Sequence, residues 1–142
     1  VVVAQTFAAN ALAAGMTFRF EAYATRAGTT SASEIIRIRI GTTTLIGNIA
    51  ATLTPPLSTL AVGNKIEGLV TIRTAGAGGT AQGMLIRHTH LAAVTITPAV
   101  SATVTPVAVD TTAANNKIEL TFISGSASNT YTFRNAVIYR VV

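Results

Sequence analysis

The sequence contains no cysteine and no tryptophan, and it has few charged residues. Without cysteine the chain can form neither a disulfide nor a thiolate metal site, so its stability must come from packing and assembly. Charged residues make up 11% of the chain and hydrophobic residues 49%, whereas an ordinary soluble domain is roughly 25% charged. We therefore expect other chains to cover part of its exterior.

The chain also lacks a long apolar run and a cluster of basic residues. Its uninterrupted apolar segments are only a few residues long, far short of the roughly 20 residues that span a bilayer, so no membrane partner is expected. Ten Lys and Arg against five acids give a net charge of +5, but these cations are spread along the whole sequence. Such scatter argues against a nucleic-acid partner.

The feature that the chain does have is an apolar and polar alternation with a period of two. In residues 16–24, for example, Phe18 and Phe20 alternate with Arg19 and Glu21. This period predicts half-buried antiparallel strands, and no long segment has a helical period. The predicted fold class is all-β: an antiparallel β-sandwich of jelly-roll type with roughly eight to ten strands and little or no helix. One domain is expected over residues 1–142, with 1–9 as an N-terminal strand or arm.

Glycine and serine clusters predict where strands are joined. Asn64–Thr74 and Thr80–His90 flank a glycine-rich tip, and Lys117–Ile123 and Thr130–Val141 flank a serine-rich one, so each pair is expected to form a hairpin. Residues 91–109 contain two prolines, which predicts a sheet edge or a meandering connection.

One tetrapeptide occurs twice, as Asn-Lys-Ile-Glu at residues 64–67 and 116–119. A single repeat does not indicate a solenoid or a propeller, which need regular short periods. Its favoured interpretation is two equivalent strands of a sandwich, each with Lys and Glu one step from a core-facing Ile.

Two histidines are the strongest candidates for metal chemistry. His88 and His90 are two residues apart in a predicted strand and would project from the same face. Cupin-type enzymes of the double-stranded β-helix class carry a carboxylate a few residues after such a pair, and none follows here. A polar strand end or a subunit contact is favoured, with a metal site within one chain or shared between chains as the alternatives. No metal or cofactor is predicted.

The acidic residues favour structural roles over catalysis. Glu21, Glu67 and Glu119 each lie two residues from a cation, which predicts local ion pairs rather than the carboxylate pair of a glycosidase. Asp110 precedes two threonines and predicts a turn capped by an Asx-type bond. No serine lies in a nucleophile elbow. The sequence thus predicts a protein that is not an enzyme and has no catalytic residues.

Four segments resemble the β-sandwich virion domains of tailed bacteriophages. They are ALAAGMTFRF at 11–20, IRIGTTTL at 38–45, GLVTIRTAGAGGT at 68–80 and SASNTYTF at 126–133. Domains of that family are jelly rolls rich in Thr, Ala and Gly, free of cysteine and typically trimeric, and they lie on capsid surfaces or at fibre tips. The resemblance implies a location in the virion.

The resemblance further implies a virion structural protein, in the first place a trimeric capsid decoration or cement protein that binds the major capsid protein or another virion protein. The alternative is a receptor-binding or fibre-tip domain whose tips at 76–80 and 124–129 contact a host surface glycan. Two groups of residues are predicted to lie at such interfaces. They are the cations Arg37, Arg39, Arg73 and Arg87, and the apolar residues Ile35, Leu69, Ile123 and Ile138.

Overall fold

The chain folds into two antiparallel sheets that pack against each other, and the prediction of an all-β sandwich is confirmed. The computed structural model describes residues 2–27, 35–46, 62–91, 94–95, 99–103, 105–114 and 116–142, among which there is no helix. The strands of these residues are β1 (Val3–Phe7), β2 (Thr17–Ala27), β3 (Ile35–Ile40), β4 (Thr43–Ile46), β5 (Val62–Thr74), β6 (Gly79–Leu91), β7 (Val94–Thr95), β8 (Ala99–Ala102), β9 (Val107–Val109), β10 (Asn116–Ile123) and β11 (Thr130–Arg140).

The two sheets differ in size. The four-stranded sheet, called here the small sheet, has the order β1-β10-β3-β4. The seven-stranded sheet, called the large sheet, has the order β11-β2-β5-β6-β7, and β8 and β9 also pair with β6. The three short strands β7, β8 and β9 therefore share one edge, as the two prolines of segment 91–109 predict.

Of the two predicted hairpins, the first is confirmed and the second is wrong. β5 and β6 pair from Gly63 and His90 to Thr74 and Thr80. By contrast, β10 lies in the small sheet between β1 and β3, whereas β11 lies in the large sheet beside β2. The serine-rich segment 124–129 thus crosses from one sheet to the other. Alternation shows that both strands have a buried face, but it does not identify their partners.

The core lies between the sheets and is close-packed at its centre. Phe18 and Phe20 of β2 are fully buried, as are Ile36 and Ile38 of β3. A Cβ atom on Gly68 of β5 would come within 2.8 Å of the Cδ1 atom of Ile38. The small sheet therefore packs directly on the backbone of the large sheet, where a larger residue than glycine would have to displace its neighbour.

A bulge in β11 reverses the direction in which its side chains point. The register with β2 shifts between Phe133 and Asn135, so Arg134 is the extra residue. After the bulge, Ile138 lies opposite the buried Phe20 and packs against the core, while Val137 is 39% exposed. Ile138, which is predicted above to lie at an interface, therefore faces inward, because one inserted residue exchanges the two faces of a strand.

Candidate protein interaction faces

The outer face of the large sheet exposes a row of apolar side chains. Leu69 of β5 lies beside Met84 of β6, and Ile86 of β6 lies beside Val100 of β8. Leu69 is 37% exposed, Met84 39% and Val100 61%. These four residues, called here the apolar strip, leave hydrophobic surface in water when the chain is alone.

Two shallow cavities lie on either side of the Leu69 and Met84 pair. The first, of about 210 Å³, is also lined by Arg19, Glu67 and Ile86. The second, of about 260 Å³, extends toward Arg73 at the end of β5. The strip is therefore not flat, and side chains of a neighbouring molecule could enter it.

A network of charged side chains lies next to the strip on the same face. The Arg19 Nη2 atom lies 3.0 Å from Glu21 Oε1 and 3.1 Å from Glu67 Oε1. The Lys65 Nζ atom lies 3.0 Å from Glu67 Oε1, and the His88 Nε2 atom lies 3.2 Å from Glu67 Oε2. The predicted local ion pairs of Glu21 and Glu67 are confirmed. This central charge network pairs two cations, Arg19 and Lys65, with two carboxylates, Glu21 and Glu67, and His88 contacts one of the carboxylates.

The hydrogen bond from Lys65, together with that from Arg19, holds the pKa of Glu67 below its ordinary value of 4.5. A carboxyl with a lowered pKa in the folded state stabilises the protein above its unfolded-state pKa and loses that contribution as the pH falls through the folded-state value.

Replacing Glu67 with glutamine is accordingly expected to reduce stability at pH 7 and to have no effect at low pH. The difference from the unaltered chain should begin to shrink as the pH falls through 4.5 and should vanish once Glu67 is protonated in both states. Urea unfolding at a series of pH values measures it. Thr132→Ala, an exposed change without a titratable group, is the control, and a pH-independent effect of Glu67→Gln would contradict the prediction.

The outer face of the small sheet has a different charge balance. Arg37 and Arg39 of β3 lie opposite Thr121 and Glu119 of β10. Arg39 Nη1 is 3.4 Å from Glu119 Oε1, and Arg39 Nη2 donates to the Thr42 carbonyl oxygen at 3.1 Å. The exposed Lys117 is on the same face, two residues before Glu119. The predicted local ion pair of Glu119 with this cation is wrong, because Glu119 pairs with Arg39 instead. This basic face, defined as Arg37, Arg39, Lys117 and Glu119, has three cations and one carboxylate.

The predicted interface residues fall on different surfaces. Ile35 and Ile123 pair at one end of the basic face, where Ile123 is 45% exposed. Arg73 is exposed at the end of β5 on the large sheet.

Arg87 does not reach either outer face. It is 1% exposed on the inner side of β6, where its Nε and Nη2 atoms donate to Asn64 Oδ1 at 3.0 and 2.7 Å. The prediction that Arg87 lies at an interface is therefore corrected: Arg87 faces inward, and the outward positions of β6 hold Met84 and Ile86 instead.

The residues considered above for a metal site and for a capped turn are His88, His90 and Asp110. His88 contacts Glu67, and the side chain of His90 lies outside the described residues. Within the described ranges, no three His, Asp or Glu side chains come together as a metal site would require. Asp110 accepts hydrogen bonds from the Thr112 backbone N at 2.8 Å and from Thr112 Oγ1 at 2.6 Å. The predicted Asx-type turn is confirmed, and these bonds lower the pKa of Asp110.

The two tips proposed for glycan contact lie at opposite ends of the large sheet. The segment 124–129 leads into Thr130, which pairs with Ala27, whereas the tip at 76–80 lies beyond the pair formed by Thr17 and Thr71. Thr17 and Ala27 are separated by about 33 Å along β2, given the usual rise per residue. The two tips therefore cannot form one binding site within a chain.

Sequence reasoning missed the outward positions of Met84, Val100, Val137 and Tyr139. The apolar run at 84–86 is a signal for β6, because three consecutive apolar residues place hydrophobic side chains on both faces of a strand. For β11 the signal is the polar pair Arg134-Asn135, which interrupts the alternation at the bulge.

Comparisons with protein-family models, with curated proteins and with solved structures find no match to this chain. Over the residues described, the chain contains no helix with the length and apolar character of a membrane span.

Proposed function

We propose that the protein is a virion structural protein of tailed bacteriophages, a trimeric capsid decoration or cement protein that binds the major capsid protein. The observation that carries the proposal is the exposed apolar strip beside a charge network in which two cations are paired with two carboxylates. Such a face suits contact between identical chains, because burial of the strip is favourable and no like charges accumulate. The resemblance of four sequence segments to phage virion domains supports the biological setting.

The position of a second apolar patch favours a ring over a two-fold dimer. Val137 and Tyr139 of β11 face outward at 39% and 41% exposure, on the opposite side of the central charge network from the strip. In a ring each chain uses two different patches, one toward each neighbour. The strip of one chain can then pack against the β11 patch of the next, and three copies close the ring.

Light scattering coupled to size exclusion tests the self-association. The unaltered chain is expected at three times its 14.6 kDa mass, and Met84→Glu at the mass of one chain, because a carboxylate in the middle of the strip would be buried without a partner. Ile123→Glu is the matched control, since Ile123 is similarly exposed on the other sheet and should leave the trimer intact.

A monomeric unaltered chain would contradict the proposal, as would dissociation by both variants. Electron cryo-microscopy of particles that contain the protein tests its place in the virion. A decoration protein is expected in hundreds of copies over the capsid, whereas a few copies at a fibre tip would support the receptor-binding alternative.

A further inference from the structure

The carboxylates of the described residues all have neighbours within the chain. Glu21 and Glu67 belong to the central charge network, and Glu119 pairs with Arg39. Asp110 accepts its hydrogen bonds from Thr112. Among the residues that the structure describes, no carboxylate lies within salt-bridge distance of Arg37 or Lys117. The basic face therefore has two positive charges that none of these carboxylates balances.

The basic face is built on paired strands. β10 is bonded to β1 on one side and to β3 on the other, so Lys117 and Arg37 are held by the hydrogen-bonded interior of the small sheet. Arg37 lies beside Thr121, and Lys117 is four residues before Thr121 on the same face. The two cations therefore lie about 13 Å apart along the strand direction. A rigid partner could meet both of them at once.

We infer that the basic face is a docking site for an acidic protein surface. This inference rests on the proposed function and identifies the face that would contact the capsid. The large sheet and the small sheet turn their outer faces in opposite directions, so assembly through the apolar strip leaves the basic face open. One surface then joins sister copies, and the other binds the partner.

The composition of the face favours a protein partner over a nucleic acid. A DNA duplex presents one negative charge about every 1.7 Å along its axis, and proteins that bind along the duplex use many cations. The basic face has only three cations. Ile35 and Ile123 also extend the basic face at one end with apolar surface. Apolar side chains bordered by charges are typical of protein interfaces, and a phosphate backbone offers nothing to cover them.

Binding to immobilised poly-L-glutamate at low salt tests the inference, with a 20-base-pair DNA duplex as a second probe. The double variant Arg37→Glu with Lys117→Glu is expected to weaken binding to poly-L-glutamate at least tenfold, because two attractive charges become repulsive. The matched control is Arg134→Glu with Arg140→Glu, which changes net charge equally at two exposed positions of β11 and should weaken binding less than threefold.

Equal weakening by the two double variants would overturn the inference, because overall charge rather than this face would then govern binding. Failure of the unaltered chain to bind poly-L-glutamate would also overturn it. Tighter binding to the duplex, lost in the Arg37 and Lys117 variant, would assign the face to nucleic acid instead. The oligomeric mass of every sample separates the two proposals: a monomeric unaltered chain counts against the proposed function, whereas a trimer without selective binding counts against the docking site alone.

Discussion

Replacing Phe18 with alanine is expected to lower the free energy of unfolding by about 3–5 kcal/mol, the range for a large aromatic removed from a core. Phe18 is fully buried, and its ring meets that of Phe7 edge to face with the centroids 5.2 Å apart. The two rings join β2 of the large sheet to β1 of the small sheet. Loss of the Phe18 ring would leave a cavity and weaken the attachment of β1. Urea unfolding followed by far-ultraviolet circular dichroism measures the effect.

Two further variants separate burial from a general effect of losing an aromatic ring. Phe18→Leu keeps most of the volume and should cost less than half as much as Phe18→Ala. Tyr23→Ala removes an aromatic side chain from the outer face of the same strand, where Tyr23 is 41% exposed under the Lys65 ammonium. We expect it to cost about 1 kcal/mol or less. Comparable losses for Phe18→Ala and Tyr23→Ala would contradict the core role of Phe18. All samples need one protein concentration, because assembly shifts apparent stability.

The fold class and the buried faces of β2 and β3 could be predicted from sequence because their alternation is unbroken. In β2 the alternate residues Phe18, Phe20, Ala22 and Ala24 are buried, and in β3 Ile36, Ile38 and Ile40 are buried in the same way. A period of two is a local property of the strand, so it survives without knowledge of the neighbours. Strand partners are a property of the whole fold, and for this reason β10 and β11 could not be assigned to separate sheets.

The repeated tetrapeptide shows which structural features the local sequence pattern can predict and which it cannot. Ile66 and Ile118 are both fully buried, in different sheets. The glutamate that follows each of them pairs with an arginine of an adjacent strand, Glu67 with Arg19 and Glu119 with Arg39. The prediction of two equivalent strands is confirmed in burial. The arginine partners are separated from their glutamates by long stretches of sequence, so only the pairing of strands could identify them.

The candidate interaction faces were harder to predict than the core because polar residues occur on both sides of the large sheet. Charge normally indicates solvent or a partner, yet Arg87 lies inside and the apolar Met84 outside. A buried guanidinium is tolerated only where acceptors meet it, and Asn64 supplies one from the neighbouring strand. That acceptor is 23 residues away in sequence, and no local pattern marks it. This contact accompanies the exchange of inner and outer positions in β6.

Replacing Asn64 with alanine is expected to lower the free energy of unfolding by about 2–4 kcal/mol, because the change removes the shared acceptor of two charge-assisted hydrogen bonds in a dry environment. Asn64 is 4% exposed and Arg87 1% exposed, so water cannot replace the lost oxygen without opening the sheets. Asn64→Asp keeps that oxygen and should recover most of the loss at neutral pH. Asn135→Ala, the same change at an exposed position of β11, should shift stability by about 0.5 kcal/mol at most. If Asn64→Ala and Asn135→Ala have equal effects in urea unfolding, the contact with Arg87 does not stabilise the fold, and the inward placement of this arginine needs another cause.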